Sequence, residues 1–182
     1  MLQVADTNPV VKVLGLYWDI GRDTYLFNSS LEWDKKFTKR SALSFTNKVF
    51  DPLGWLTPMS VRRRLFIQQL WAKELKWNDS FEFVDNLAEE WLHIVEETHI
   101  TITSSKGRVA VFDINSELHI FSDASAEAYG AIVYVRTPGE SGQKAQVQMV
   151  SAKAKITKKG NGTNPRWVVS RSCRCRTSSL LH

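Results

Sequence analysis

Two cysteines, Cys173 and Cys175, are all the sequence contains. They are too few for a disulfide framework and too close together to close a useful loop. No apolar run approaches the roughly 20 residues that cross a bilayer, and the opening MLQVADTNPVV lacks the basic flank and apolar stretch of a signal peptide. The expectation is a soluble, intracellular chain. No two aspartates are adjacent, which removes the paired metal ligands a polymerase uses to activate a primer hydroxyl. Asp-Thr-Gly and Asp-Ser-Gly are also missing, and Asp19-Ile20-Gly21 lacks the hydroxyl of an aspartic peptidase turn. Acids are absent from residues 151–182, which carry eight of the 24 Lys and Arg, whereas all 19 Asp and Glu come earlier. The net charge of +5 therefore describes a basic tail on an acidic body.

What remains is 182 residues of ordinary globular composition, 43% apolar and 24% charged, enough for one domain or two small ones. Val10 to Tyr17, rich in β-branched residues, predicts a strand, and Tyr25 to Phe27 its hairpin partner across Gly21, Arg22 and Asp23. Ala42, Leu43, Thr46, Val49 and Phe50 recur at helical spacing, and the helix should stop at Asp51 because Pro52 follows. Thr57-Pro58 predicts the cap and first residue of a second helix running to about Trp77. A third follows from Val84, Leu87, Ala88, Trp91, Leu92 and Val95, with Asp79 and Glu82 as a capping box. After the polar TSSKGR linker, Glu117 to Ser122, Ala131 to Arg136 and Gln146 to Ser151 predict three short strands, so two units should meet near residue 105.

Four segments then carry a family likeness: VKVLGLYWD, TKRSALSFTNKVFDPLGWLTP, LFIQQLWAKELKWND and ELHIFSDASAEAYGAIVYVR. In this order, from about residue 11 to residue 157, they resemble the Pol polyprotein of BEL/Pao long-terminal-repeat retrotransposons. The resemblance implies an α+β chain: an N-terminal β-hairpin and three-helix, thumb-like end of a reverse transcriptase over residues 1–104, then a truncated ribonuclease H-like sheet over 105–157. Residues 158–182 are expected to be a basic, disordered tail. There Pro165 and Arg166 lead into Trp167, Val168 and Val169, where the resemblance implies Leu-Glu-Leu; this would follow from a shifted reading frame or a misplaced exon boundary. The implied activity is RNA-templated DNA synthesis with ribonuclease H processing, performed by the intact polyprotein. The implied partners are an RNA·DNA hybrid or a DNA backbone and the rest of that polyprotein. A module of another class, a non-catalytic helical nucleic-acid or protein interaction unit retained by a host, is the alternative.

Asp123 in FSDAS resembles the first carboxylate of a ribonuclease H-like site, which would hold Mg²⁺ in the intact enzyme. Two ions roughly 4 Å apart need several converging carboxylates, so Asp123 alone is not expected to hold metal or to give activity. On residue chemistry alone the favoured reading is that Asp123 ends a strand and caps the following turn, with Glu127 a surface charge. Arg62, Arg63 and Arg64 are the best nucleic-acid contacts in the body; at about 100° per helical residue at most two can face one phosphate backbone, and a solvated helix face is the plain alternative. Gly15 marks either a close approach of backbone to a primer strand or a bulge. Cys173, Cys175 and His182 are a poor zinc set, and His93, His99 and His119 read as packing or surface residues. Trp71, Trp77 and Trp91 fall at helical core spacing.

Overall fold

A computed structural model describes residues 10–13, 16–27, 31–104, 106–107, 112–139, 143–157 and 173–176. The first β-branched run is itself a hairpin: Val10–Val13 (β1) and Leu16–Asp19 (β2) are antiparallel, with Val13 opposite Leu16. Thr24–Leu26 (β3) pairs with β2 across the predicted turn. Asp19 fixes that turn, its buried carboxylate accepting the Arg22 amide at 3.0 Å, and Asp23 takes φ +49°, a conformation Asp adopts more readily than most residues. Lys106–Gly107 (β4) pairs with β3. The segment expected to link two units thus returns to the first sheet.

Lys39–Lys48 (α1) is capped by the Thr38 hydroxyl, which accepts the Ser41 amide at 3.2 Å, and it ends ahead of Asp51-Pro52 as predicted. Thr57–Trp71 (α2) has Leu56 rather than Thr57 at its cap position, with no side-chain cap bond, and it stops at Trp71 rather than near Trp77. Tertiary contact ends it early: the Arg40 amide donates to the Trp77 carbonyl at 3.2 Å, and Asp79 closes a turn by accepting the Lys76 amide at 2.8 Å. Leu87–Ser104 (α3) begins after Val84, because Asp85 sits at φ +47°. Asp79 and Glu82 therefore cap no helix, and the predicted capping box is replaced by turns.

Leu87, Trp91, Ile94, Thr98 and Ile102 form the buried stripe of α3 and meet Ala42 and Phe45 of α1 and Phe66 and Leu70 of α2. Trp91 is the hub, stacked on Phe66 at 5.1 Å between ring centres and edge-on to Phe45 at 5.6 Å.

The second sheet has the order β7-β6-β5-β8, made from Glu117–Ala124 (β5), Ala128–Thr137 (β6), Gln146–Ile156 (β7) and Cys173–Arg176 (β8), all antiparallel. The three predicted strands are present and longer than their apolar cores. Cys173–Arg176 is a departure from the expected disordered tail, since it lies along the edge of β5 with Cys175 opposite Leu118. A bulge between Val133 and Tyr134 shifts the β6–β7 register. The architecture is thus α+β, with two antiparallel sheets and three helices among the described residues. No helix among them is long and apolar enough to cross a membrane.

Candidate functional site: a cleft between the FDPLG loop and the second sheet

The loop between α1 and α2 is organised by one carboxylate. Asp51 accepts the Trp55 amide at 2.9 Å through Oδ1 and the Leu56 amide at 2.7 Å through Oδ2, bracing the two residues that lead into α2. That curl presents the Leu53 carbonyl to β7, where it accepts the Ala152 amide at 2.8 Å and the Ser151 hydroxyl at 3.0 Å. Gly54 is required here on two grounds: it lies at φ +79°, and a Cβ would stand 1.8 Å from the Ala152 oxygen. Further along, the Gln68 amide reaches the Thr157 carbonyl at 2.6 Å and Arg64 the Ala154 carbonyl at 3.2 Å. The helical region is thereby joined to β7 by main-chain and side-chain hydrogen bonds.

Between loop and sheet lies an open cleft of about 580 Å³, with Trp55 and Pro58 on one wall and Phe121, Ile132, Tyr134 and Met149 on the other. Asp123 stands at this cleft, near the end of β5 opposite Gly130. The two most family-specific segments of the sequence, FDPLG and FSDAS, therefore face one another. Asp123 is exposed, and its Oδ1 accepts the neighbouring Ala124 amide at 2.8 Å. The turn to β6 is closed by Ser125, whose amide donates to the Ala128 carbonyl at 2.8 Å and whose hydroxyl accepts the Glu127 and Ala128 amides.

Of the described residues that line the cleft, Asp123 is the one acid and Lys153 the one base. Nothing in the sequence pattern marks Lys153 as a cleft residue; the β6–β7 register brings it opposite Ala131. Among the described residues no three His, Cys, Asp or Glu side chains converge as a metal group would require. One carboxylate does not fit a two-ion centre, which needs several anionic oxygens to offset the charge.

The three consecutive arginines of α2 go to three places. Arg62, half-exposed, is ion-paired with Glu97 of α3. Arg63 is 1% exposed and turns inward, donating to the Thr98 and Ser60 hydroxyls at 3.1 Å each, so a phosphate outside has no access to it. Burial, reinforced by the charge of Arg64 and opposed by Asp51, pushes its pKa down to about 10. Arg64 is exposed at the junction with β7. Gly15, His182, the stretch Pro165 to Val169 and the side chains of Cys173 and Cys175 lie outside the described residues.

His93 pairs with Glu97 at 3.4 Å, His119 with Glu117 at 3.4 Å, and His99 lies 6.0 Å from the Phe45 ring. Trp91 is fully buried as its spacing predicts, whereas Trp71 and Trp77 are 50% and 44% exposed, contrary to their expected place in a core.

Comparison with known proteins gives one family: the model of the Pao retrotransposon-like RNaseH-like domain matches residues 38–169, more than half of the chain. The match covers all three helices, the FDPLG loop and β5 to β7, and so runs across position 105. No curated protein matches the chain.

Proposed function

Since the chain belongs to the Pao retrotransposon-like RNaseH-like domain family, we propose that it serves within a BEL/Pao Pol polyprotein, engaging an RNA·DNA hybrid without cleaving it by itself. The observation that carries this reading is the cleft in which Asp123 is the one acid among the described lining residues. In this reading Asp123 is the first carboxylate of a ribonuclease H-like centre, and Mg²⁺ would be held there only with further carboxylates from the intact element. Residues 1–104 act as a thumb-like region that follows the hybrid backbone, residues 105–157 form the beginning of the ribonuclease H-like part, and the basic tail over 158–182 attracts polyanions generally.

Arg64 is the strongest phosphate contact of the triplet, since no acid pairs with it among the described residues. Arg62 must exchange Glu97 for phosphate, and a close approach of backbone to the primer strand is assigned to Gly15 from its residue type alone. The test is hybrid affinity as a function of salt for the full chain carrying tail Lys and Arg changed to Gln. Arg64→Ala should lower the salt slope by about one phosphate contact and Arg62→Ala by less. Unchanged slopes in both would reject the α2 surface as the contact.

A further inference from the structure

We propose that Thr157 and Gln68 are positioning residues for Asp123, together holding from the α2 side the hairpin end that carries it. This role rests on the reading of Asp123 as a ribonuclease H-like carboxylate.

Its own sheet holds Asp123 loosely. It faces Gly130, which has no side chain to pack against it, and Ala154 completes the row across β7. β8 reaches along β5 only as far as Ile120, so among the described residues Asp123 has a neighbouring strand on one side alone. One further pair, Ala124 with Tyr129, separates it from the turn, and ladders open first at such ends. The bond that its Oδ1 accepts from the Ala124 amide at 2.8 Å is local, and it fixes the carboxylate only if the backbone beneath is fixed.

That restraint comes from the end of β7. The Thr157 amide donates to the Glu127 carbonyl at 2.8 Å and its hydroxyl to the Ala126 carbonyl at 2.6 Å, so one residue grips both residues at the tip of the turn. Thr157 is held in its turn, because its carbonyl accepts the Gln68 side-chain amide at 2.6 Å. Gln68 follows Arg64 by one helical turn, and Arg64 donates to the Ala154 carbonyl at 3.2 Å, so one face of α2 grips β7 at two points. The restraint thus runs from Gln68 through Thr157 to Ala126 and Glu127, and down the hairpin to Asp123. A carboxylate in a metal centre must be held to within about 0.5 Å, and the groups behind it supply that precision. A chain divided near residue 105 would lose this support, which accords with a family match that spans residues 38–169.

The test uses the full chain, isotope-labelled, with two NMR readouts at one pH: the signal of the Asp123 carboxyl carbon and hydrogen exchange at the Ala124 amide. Thr157→Val removes the hydroxyl and keeps the shape, and Gln68→Leu removes the support behind Thr157. Each should speed Ala124 exchange by roughly three- to tenfold, the equivalent of one hydrogen bond, and should displace the Asp123 carboxyl signal. Exchange at Ile132 in the middle of the sheet should stay at the parent rate in both, and Thr157→Ser should restore the parent values. Unchanged Ala124 exchange and carboxyl signal in either variant overturns the proposal. So does equal acceleration at Ile132, which would mark a merely structural role, or a failure of Thr157→Ser to restore the readouts. Neither readout requires cleavage, so a failure here is distinct from a failure of the ribonuclease H-like reading, which would appear as hybrid cleavage by the assembled polyprotein that survives Asp123→Asn.

Discussion

Arg63 is the most deeply buried charge among the described residues, and hydroxyl groups, not a carboxylate, receive it. Its Nε has no partner there, and burial, with the charge of Arg64 beside it, lowers its pKa to about 10. A base with a lowered folded pKa is penalised wherever both folded and unfolded chains are protonated. The penalty is therefore constant below about pH 10 and is relieved only as pH rises from there towards the unfolded value. Arg63→Met should raise the urea-unfolding free energy by about 1–2 kcal/mol at neutral pH, because a buried charge gives way to apolar packing. A comparable loss of stability would show instead that the two hydroxyl bonds hold α2 to α3. Hybrid affinity should not change. In the sequence the three arginines are alike. Helical geometry says that they diverge, but which one turns inward depends on Thr98, 35 residues further along the chain.

At the scale of elements, the FDPLG loop couples the helices to the sheet, and its chemistry can be removed one piece at a time. Gly54→Ala should cost more than about 2 kcal/mol, from the left-handed backbone and the collision with Ala152 together, and should speed exchange of the Ala152 amide. Normal exchange at Ala152 in that variant would mean that the loop does not dock. Asp51→Ala should cost about 2–3 kcal/mol, since two charge-assisted amide bonds and the favourable field on Arg63 disappear together. With Arg63→Met already in place the same change should cost less, and equal costs in both backgrounds would exclude the electrostatic link. Much at this level was legible in advance. The apolar stripe of α3, the stop at Asp51-Pro52 and three strands of the second sheet all follow local patterns. Tertiary contact decided the rest: Arg40 ends α2 by holding Trp77, and a left-handed Asp85 delays α3. β8 is a four-residue Cys-Arg alternation, too short to stand out until the open edge of β5 supplies its partner.

Across the whole molecule, the second sheet remains half-open. Phe121, Tyr129 and Val147 are exposed, and Val135 is its one buried large apolar side chain among the described residues. The FDPLG and FSDAS motifs identified the family before any geometry was known, but their meeting across one cleft depends on the β7 contact at Ala152, which no local pattern encodes. The most direct test of the account is to incubate the full chain with a labelled RNA·DNA hybrid and Mg²⁺ and to follow binding and strand cleavage in the same samples. The account predicts a salt-sensitive complex with the RNA strand intact, in the parent chain and in Asp123→Asn alike. Mg²⁺-dependent cleavage by the parent chain, abolished by Asp123→Asn, would contradict it.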